Sequence, residues 1–194
     1  MITIDQIKKL REETDVSVTE CKKALEKAGG DTKRAKEILR EQGKKLAGKK
    51  SSREVKEGIV ASYIHPNNKI GVMLKLRSET DFVAKSDDFQ KLAHEICLQI
   101  AAMSPLFLKE EAIPDEFLNA EKKIYREQFK DSSKPQKIVD SIIEGKLEKY
   151  KKEISLLSQP WVKDNTKTIQ DLIEEYITRF GENITAEKFV RYEI

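Results

Sequence analysis

The sequence predicts an α+β fold: a three-helix head, then a core in which a small antiparallel sheet is covered by helices on one side. Three observations predict it. The first 43 residues hold three short amphipathic segments, each opened by a capping residue. At residue 58 the apolar period changes from 3.6 to 2. From residue 86 long helical stripes return, and the last segment alternates again. A chain of 194 residues has room for one sizeable core and a small appended domain.

Residues 1–43 form the head. Thr3 with Gln6 makes a capping box ahead of Ile4, Ile7 and Leu10. Ser17 with Glu20 makes a second box, opening a helix with Cys21, Ala24, Leu25 and Ala28 on its apolar face; Gly29-Gly30 stops it. Asp31 caps a third helix carrying Ala35, Ile38 and Leu39, which is expected to end near Gly43. "KKLAGKKSSREVKE", 44–57, has five basic residues before its first acid and reads as a basic linker with some room for helix.

The core spans 58–194. "GIVASYIH" alternates with Ile59, Ala61 and Tyr63 on one side; "KIGVMLKLR" alternates with Ile70, Val72, Leu74 and Leu76 on one face. "HPNN" between them supplies turn residues, so the pair is a hairpin. Ser86, Asp87 and Asp88 open a helix striped by Phe89, Leu92, Ala93, Ile96, Cys97 and Ile100. A helical pair covers 115–157, its second member carrying Ile138, Val139, Ile142, Ile143, Leu147, Tyr150, Ile154 and Leu157 at near-heptad spacing, which suggests a hairpin arm or a helix–helix seam. In the C-terminal segment 158–194, one more helix over 168–180 is closed by Gly181, and "AEKFVRYEI" can join the hairpin as a third strand.

Charged residues make up 37% of the chain, and no apolar run approaches the roughly 20 residues that span a bilayer. The N-terminal stretch lacks the apolar run of a signal peptide. These features, with two isolated cysteines (Cys21 and Cys97) at apolar helix positions, point to a reducing, cytoplasmic setting with no disulfide framework. Net charge is +5 over residues 1–57 and −2 over the rest, short of the concentrated stripe of a dedicated nucleic-acid binder.

No catalytic constellation stands out. His65 and His94 lack a third ligand at metal-like spacing. Gly43, Gly48 and Lys49 match the start of a P-loop, but Lys50 stands where Ser or Thr must hold magnesium, and the segment follows a helix rather than a strand. Asp87 and Asp88 read as the acidic first turn of a helix rather than as a metal site. The expectation is a protein that is not an enzyme and has no cofactor.

"SETDFVAKSDDF", 78–89, holds the one residue without an obvious place. Phe82 lies between Asp81 and Val83 at a strand–helix junction, on no core face. Composition and spacing favour an ordinary core ring tucked under the hairpin, since most large aromatics are buried. The other reading is a wedge: an apolar tip beside a carboxylate, on a rigid turn, suited to a partner's pocket.

"TDFV" after the strand preceded by "ASYIHPNNKIGVMLKLRSE", the N-terminal "IKKLREETDVSVTECKKALEKAGGD" and the C-terminal "LLSQPWVKDNTKTI…GENITAEKFVRYEI" together resemble the bacterial translation elongation factor Ts family, in order and over nearly the whole chain. The length resembles that family's short form. Asp15 stands in place of a usual glycine after Thr14, and Arg77-Ser78 in place of Asn-Cys before Glu79, departures that bear on fine contacts.

The resemblance implies a guanine nucleotide exchange factor for elongation factor Tu, binding its GDP-bound and nucleotide-free forms. It implies a UBA-like head that docks on the GTPase domain through Arg11, Val18 and Thr19. It also implies that Thr80, Asp81, Phe82 and Val83 enter near the magnesium site and help dislodge the ion. Short forms resemble half of a larger pseudo-symmetric core, which makes a homodimer a further expectation. Three rival readings are a pure protein-binding adaptor, an RNA-binding accessory protein of the translation machinery using the basic linker, and an enzyme, the last disfavoured by the missing constellation.

Overall fold

The computed structural model describes residues 2–14, 16–130 and 134–194. In chain order it contains α1 (Ile4–Thr14), α2 (Val18–Lys27), α3 (Thr32–Lys50), β1 (Glu57–Ile64), β2 (Ile70–Ser78), α4 (Asp81–Ala84), α5 (Asp87–Met103), α6 (Asp115–Gln128), α7 (Gln136–Ile154), β3 (Pro160–Trp161), β4 (Asp164–Thr168), α8 (Ile169–Phe180) and β5 (Ile184–Glu193). The small sheet has the order β1-β2-β5, so the alternating C-terminal segment does join the hairpin. The fold is α+β, as the sequence predicts. No helix of the described residues is long and apolar enough to cross a membrane.

Contacts divide the chain into two compact units. The first comprises Met1–Ala61, Lys75–His94 and Asp171–Glu187. Its N-terminal helices enclose a small core of Leu10, Cys21, Ala24, Leu25, Ala35 and Leu39. The caps form where the sequence places them. Thr3 and Gln6 exchange hydrogen bonds, with Thr3 N donating to Gln6 Oε1 at 2.9 Å and Gln6 N donating to Thr3 Oγ1 at 3.2 Å. Ser17 Oγ accepts from Glu20 N at 3.3 Å, and Asp31 Oδ1 accepts from Lys33 N at 2.8 Å. Gly29 and Gly30 both take positive φ, at 63° and 88°, which ends α2.

The third helix departs from expectation. It does not stop near Gly43 but runs to Lys50, so the first part of the expected linker is helical. The reason is tertiary. Leu39, Gly43 and Ala47 repeat at four-residue spacing and are all buried. A Cβ on Gly43 would lie 2.9 Å from Thr178 Oγ1, so the glycine admits a side chain of α8 instead of breaking the helix. Polar contacts hold the same pair of helices: Arg40 and Lys44 each reach Asp171 at 2.7 Å, and Lys50 donates to the Gly181 carbonyl. The P-loop-like residues Gly43, Gly48 and Lys49 thus lie inside one helix.

The second unit comprises Ser62–Leu74, Glu95–Gln170 and Lys188–Ile194. The turn joining β1 to β2 is closed by His65 N donating to Ile70 O at 2.9 Å, with Asn68 at φ 59°. Ile194 N donates to Lys69 O at 3.0 Å, which sets β5 antiparallel to β2. Helices α6 and α7 meet as the expected seam, where Val139, Ile143 and Leu147 pack with Tyr125 and Phe129. The sequence reading runs directly from "SQPWVKDN" to a helix; the structure inserts the two-stranded hairpin β3–β4 there. β3 is only two residues long and β4 is polar throughout, so neither shows an alternating pattern. Buried Gln99 holds the hairpin: its Nε2 donates to Gln159 Oε1 and to Pro160 O, both at 3.1 Å, and its Oε1 accepts from Val162 N at 2.9 Å. Cys21 and Cys97 are buried free thiols.

Candidate functional site

The stretch "SETDFVAKS" leaves β2 and makes a single helical turn, α4, before α5 begins. One turn of helix has no stability of its own, because nucleation fixes several residues for one hydrogen bond. This turn is therefore built by its surroundings.

Thr80 is its N-cap, with extended backbone (φ −122°, ψ 157°), and its Oγ1 accepts from Val83 N at 3.4 Å. Ser78, fully buried, donates from Oγ to Thr80 O at 2.9 Å. At the other end Ser86 Oγ donates to Val83 O at 2.7 Å and accepts from Phe89 N at 3.3 Å. Val83 and Ala84 face inward and are buried. Phe82, on the opposite side of the same turn, is 84% exposed. The ring is not a core residue. The core reading suggested by composition is overturned: Val83 and Ala84 fill the inner side of the turn and Phe82 is left facing solvent.

Asp81 pairs with Lys85 at 2.7 Å, one turn later. The hydrogen bond and charge of Lys85 hold the Asp81 carboxyl below the usual aspartate value of 3.8, and Asp81 in turn raises Lys85. The tip therefore presents an apolar ring beside an exposed ion pair.

A second strip of chain grips this turn. The Glu182 carboxylate accepts from Thr80 N at 3.0 Å and from Thr80 Oγ1 at 2.8 Å. The Glu79 carboxylate accepts from Asn183 N at 2.6 Å and meets Arg53 at 3.5 Å. The Asn183 side chain donates to Arg53 O at 2.8 Å. Sequence reasoning gives Glu182 and Asn183 no role. They fall inside the C-terminal stretch that carries the resemblance, but nothing local shows their part, because Glu182 lies 102 residues from its partner Thr80.

Arg11 stands in the last turn of α1, and Val18 and Thr19 open α2. All three are exposed and flank the α1–α2 connection. Asp15, in that connection, lies outside the described residues. The structure thus brings Thr80 to Val83 into one turn and places Arg11 on α1 and Val18 and Thr19 on α2. Several cations expected to make the linker basic are engaged: Lys44 with Asp171, Lys50 with Gly181 and Arg53 with Glu79. Among the described residues no group of three His, Cys, Asp or Glu side chains is placed to hold a metal ion.

The architecture defines a class first: an α+β protein with a three-helix N-terminal bundle and a preorganised, solvent-facing apolar turn between sheet and helix. The family model described as elongation factor TS matches residues 4–194. The chain is 51% identical over 193 residues to the elongation factor Ts of Thermotoga petrophila, covering 100% of this chain and 96% of that protein. It is 50% identical over 193 residues to that of Thermodesulfovibrio yellowstonii, with the same coverage. To that of Thermosipho melanesiensis it is 48% identical over 194 residues, covering 100% of this chain and 99% of the relative. The chain belongs to the elongation factor Ts family, translation elongation factors of protein biosynthesis.

Proposed function

We propose that this chain is a cytoplasmic guanine nucleotide exchange factor for elongation factor Tu, acting on a partner GTPase and carrying out no bond chemistry of its own. The observation that carries the reading is the 84% exposed Phe82 on a turn whose next two residues are buried. A ring held out on a pinned turn loses little conformational freedom when it enters a pocket, so more of its burial energy reaches the complex. Full burial of a Phe contributes about 1.5–3 kcal/mol, roughly ten- to a hundredfold in affinity.

In this reading Arg11, Val18 and Thr19 dock the head on the GTPase domain. Phe82 then enters near the magnesium site, with Thr80 and Val83 holding the turn and Asp81 positioning it. Magnesium bridges phosphate charge to the GTPase and its switch segments, so displacing its supports weakens the hold on GDP. Exchange requires tighter binding to nucleotide-free Tu than to the GDP-bound form; equal affinities shift nothing. The coupling is reciprocal, so GDP weakens factor binding by the same ratio.

The test is release of fluorescent GDP from elongation factor Tu at fixed magnesium, with and without this protein. Acceleration supports exchange. Tight binding to Tu with unaltered release contradicts it and leaves an adaptor.

A further inference from the structure

We infer that Glu182 is a positioning residue for nucleotide exchange, fixing the Phe82 turn in its docking geometry before the partner arrives. The inference rests on the exchange reading above and adds to it a residue from a distant part of the chain.

Four residues cannot sustain a helical turn alone. Val83 and Ala84 anchor its inner side by burial, but burial does not set the direction in which Phe82 points. That direction depends on the φ and ψ of Thr80, where the chain leaves the strand and enters the turn. Both donors of Thr80, its N–H and its hydroxyl, go to the one carboxylate of Glu182, at 3.0 and 2.8 Å. With the hydroxyl hydrogen directed at Glu182, the oxygen's lone pairs are left to accept from Val83 N, which is the cap of the turn. A glutamine offers one accepting oxygen where the carboxylate offers two, so one bond is lost and the other weakened, since hydrogen bonds to charged groups are roughly twice as strong.

The grip is reciprocal. Glu182 accepts from Thr80, while Glu79, the neighbour of Thr80, accepts from the backbone of Asn183, the neighbour of Glu182. Each strip supplies one carboxylate and at least one backbone N–H to the other. Asn183 is itself fixed to the backbone of Ser51 and Arg53 through its amide. The residues that grip the turn are therefore tied in turn to the stretch just past α3. Neither strip reaches beyond the turn to the solvent-facing ring, so Glu182 acts through Thr80 and does not itself form the tip.

The test is a titration of the whole protein against elongation factor Tu carrying fluorescent GDP at fixed magnesium. It compares the native chain, Glu182→Gln, Thr80→Val and the double variant, each checked by circular dichroism. The glutamine substitution keeps the size of the side chain and removes its charge. The expected result is a saturating release rate lowered about tenfold in each single variant. The half-saturating concentration stays within about twofold, because the head still docks. The double variant loses less than the product of the two single losses, as residues of one unit do. Native saturating rates in both single variants overturn the inference, as does a loss confined to half-saturation or single losses that multiply. If Glu182→Gln loses its native helical signal, Glu182→Asp takes its place: it keeps the charge but shortens the reach to Thr80, and a native saturating rate in that folded variant overturns the inference. A native chain that fails to accelerate release overturns the exchange reading and this inference with it. Native acceleration with unimpaired variants overturns only the role of Glu182.

Discussion

Gly43 of α3 faces Thr178 of α8 so closely that a Cβ at residue 43 would stand 2.9 Å from the threonine Oγ1. That oxygen already donates to Glu174 O at 2.9 Å, so it is not free to swing away. Gly48, five residues on in the same helix, has nothing within 4 Å of the equivalent position. The two glycines should therefore respond oppositely to alanine. Gly48→Ala should raise the urea midpoint, adding about 0.5–1 kcal/mol from helix propensity and unfolded-chain entropy. Gly43→Ala should lower it by about 1–3 kcal/mol through overpacking. Equal midpoint shifts would contradict the packing.

Asp171, at the start of α8, is 8% exposed and receives both Arg40 and Lys44 at 2.7 Å. Removing the acid leaves two half-exposed cations facing a buried gap. Asp171→Ala should cost about 1–3 kcal/mol, less than a fully buried pair because both bases remain partly solvated. Arg40→Ala and Lys44→Ala should each cost less than that, since the acid keeps one partner. Thermal unfolding of the three variants gives the order.

Burial pushes the Cys97 thiol up to about 11, and Cys21 is buried as well. Thiolate is the reactive form, so neither cysteine should react quickly with a disulfide reagent at pH 8. Two thiols should appear only on addition of denaturant. Rapid labelling of the native protein would show that the helices bearing them open readily.

Glu187 on β5 is held below the ordinary glutamate value of 4.5 by Lys75, with Arg77 adding to it. A depressed acid stabilises the fold fully above its unfolded value and loses that contribution as pH falls through the folded one. The stability difference between the native chain and Glu187→Gln should therefore be flat above about pH 5. It should shrink as the pH falls below 4.5. A difference that persists unchanged at pH 3 would mean the ion pair contributes nothing.

Local signals in the sequence carry most of the fold. Capping pairs three residues apart, the alternation of β2 and the stripe of α5 are all set within a few positions, and each appears where the sequence places it. What the sequence hides is non-local. Gly43 reads as a stop because glycine is a poor helix former, yet packing on α8 overrides propensity there. The β3–β4 hairpin depends on Gln99, some 60 residues away, and not on its own pattern. The turn holding Phe82 is legible as a junction, but its outward direction is not. Periodicity has no meaning over one turn, and the clamp from Glu182 comes from 102 residues downstream.

The part played by Phe82 is read most directly by comparing Phe82→Ala with the native chain in GDP release from elongation factor Tu at fixed magnesium. Because Phe82 is exposed, the variant should unfold at the native temperature. The native chain should accelerate release, and the folded variant should lose most of that acceleration, by about ten- to a hundredfold. Native acceleration by the folded variant would contradict that role, leaving the ring exposed without a part in exchange.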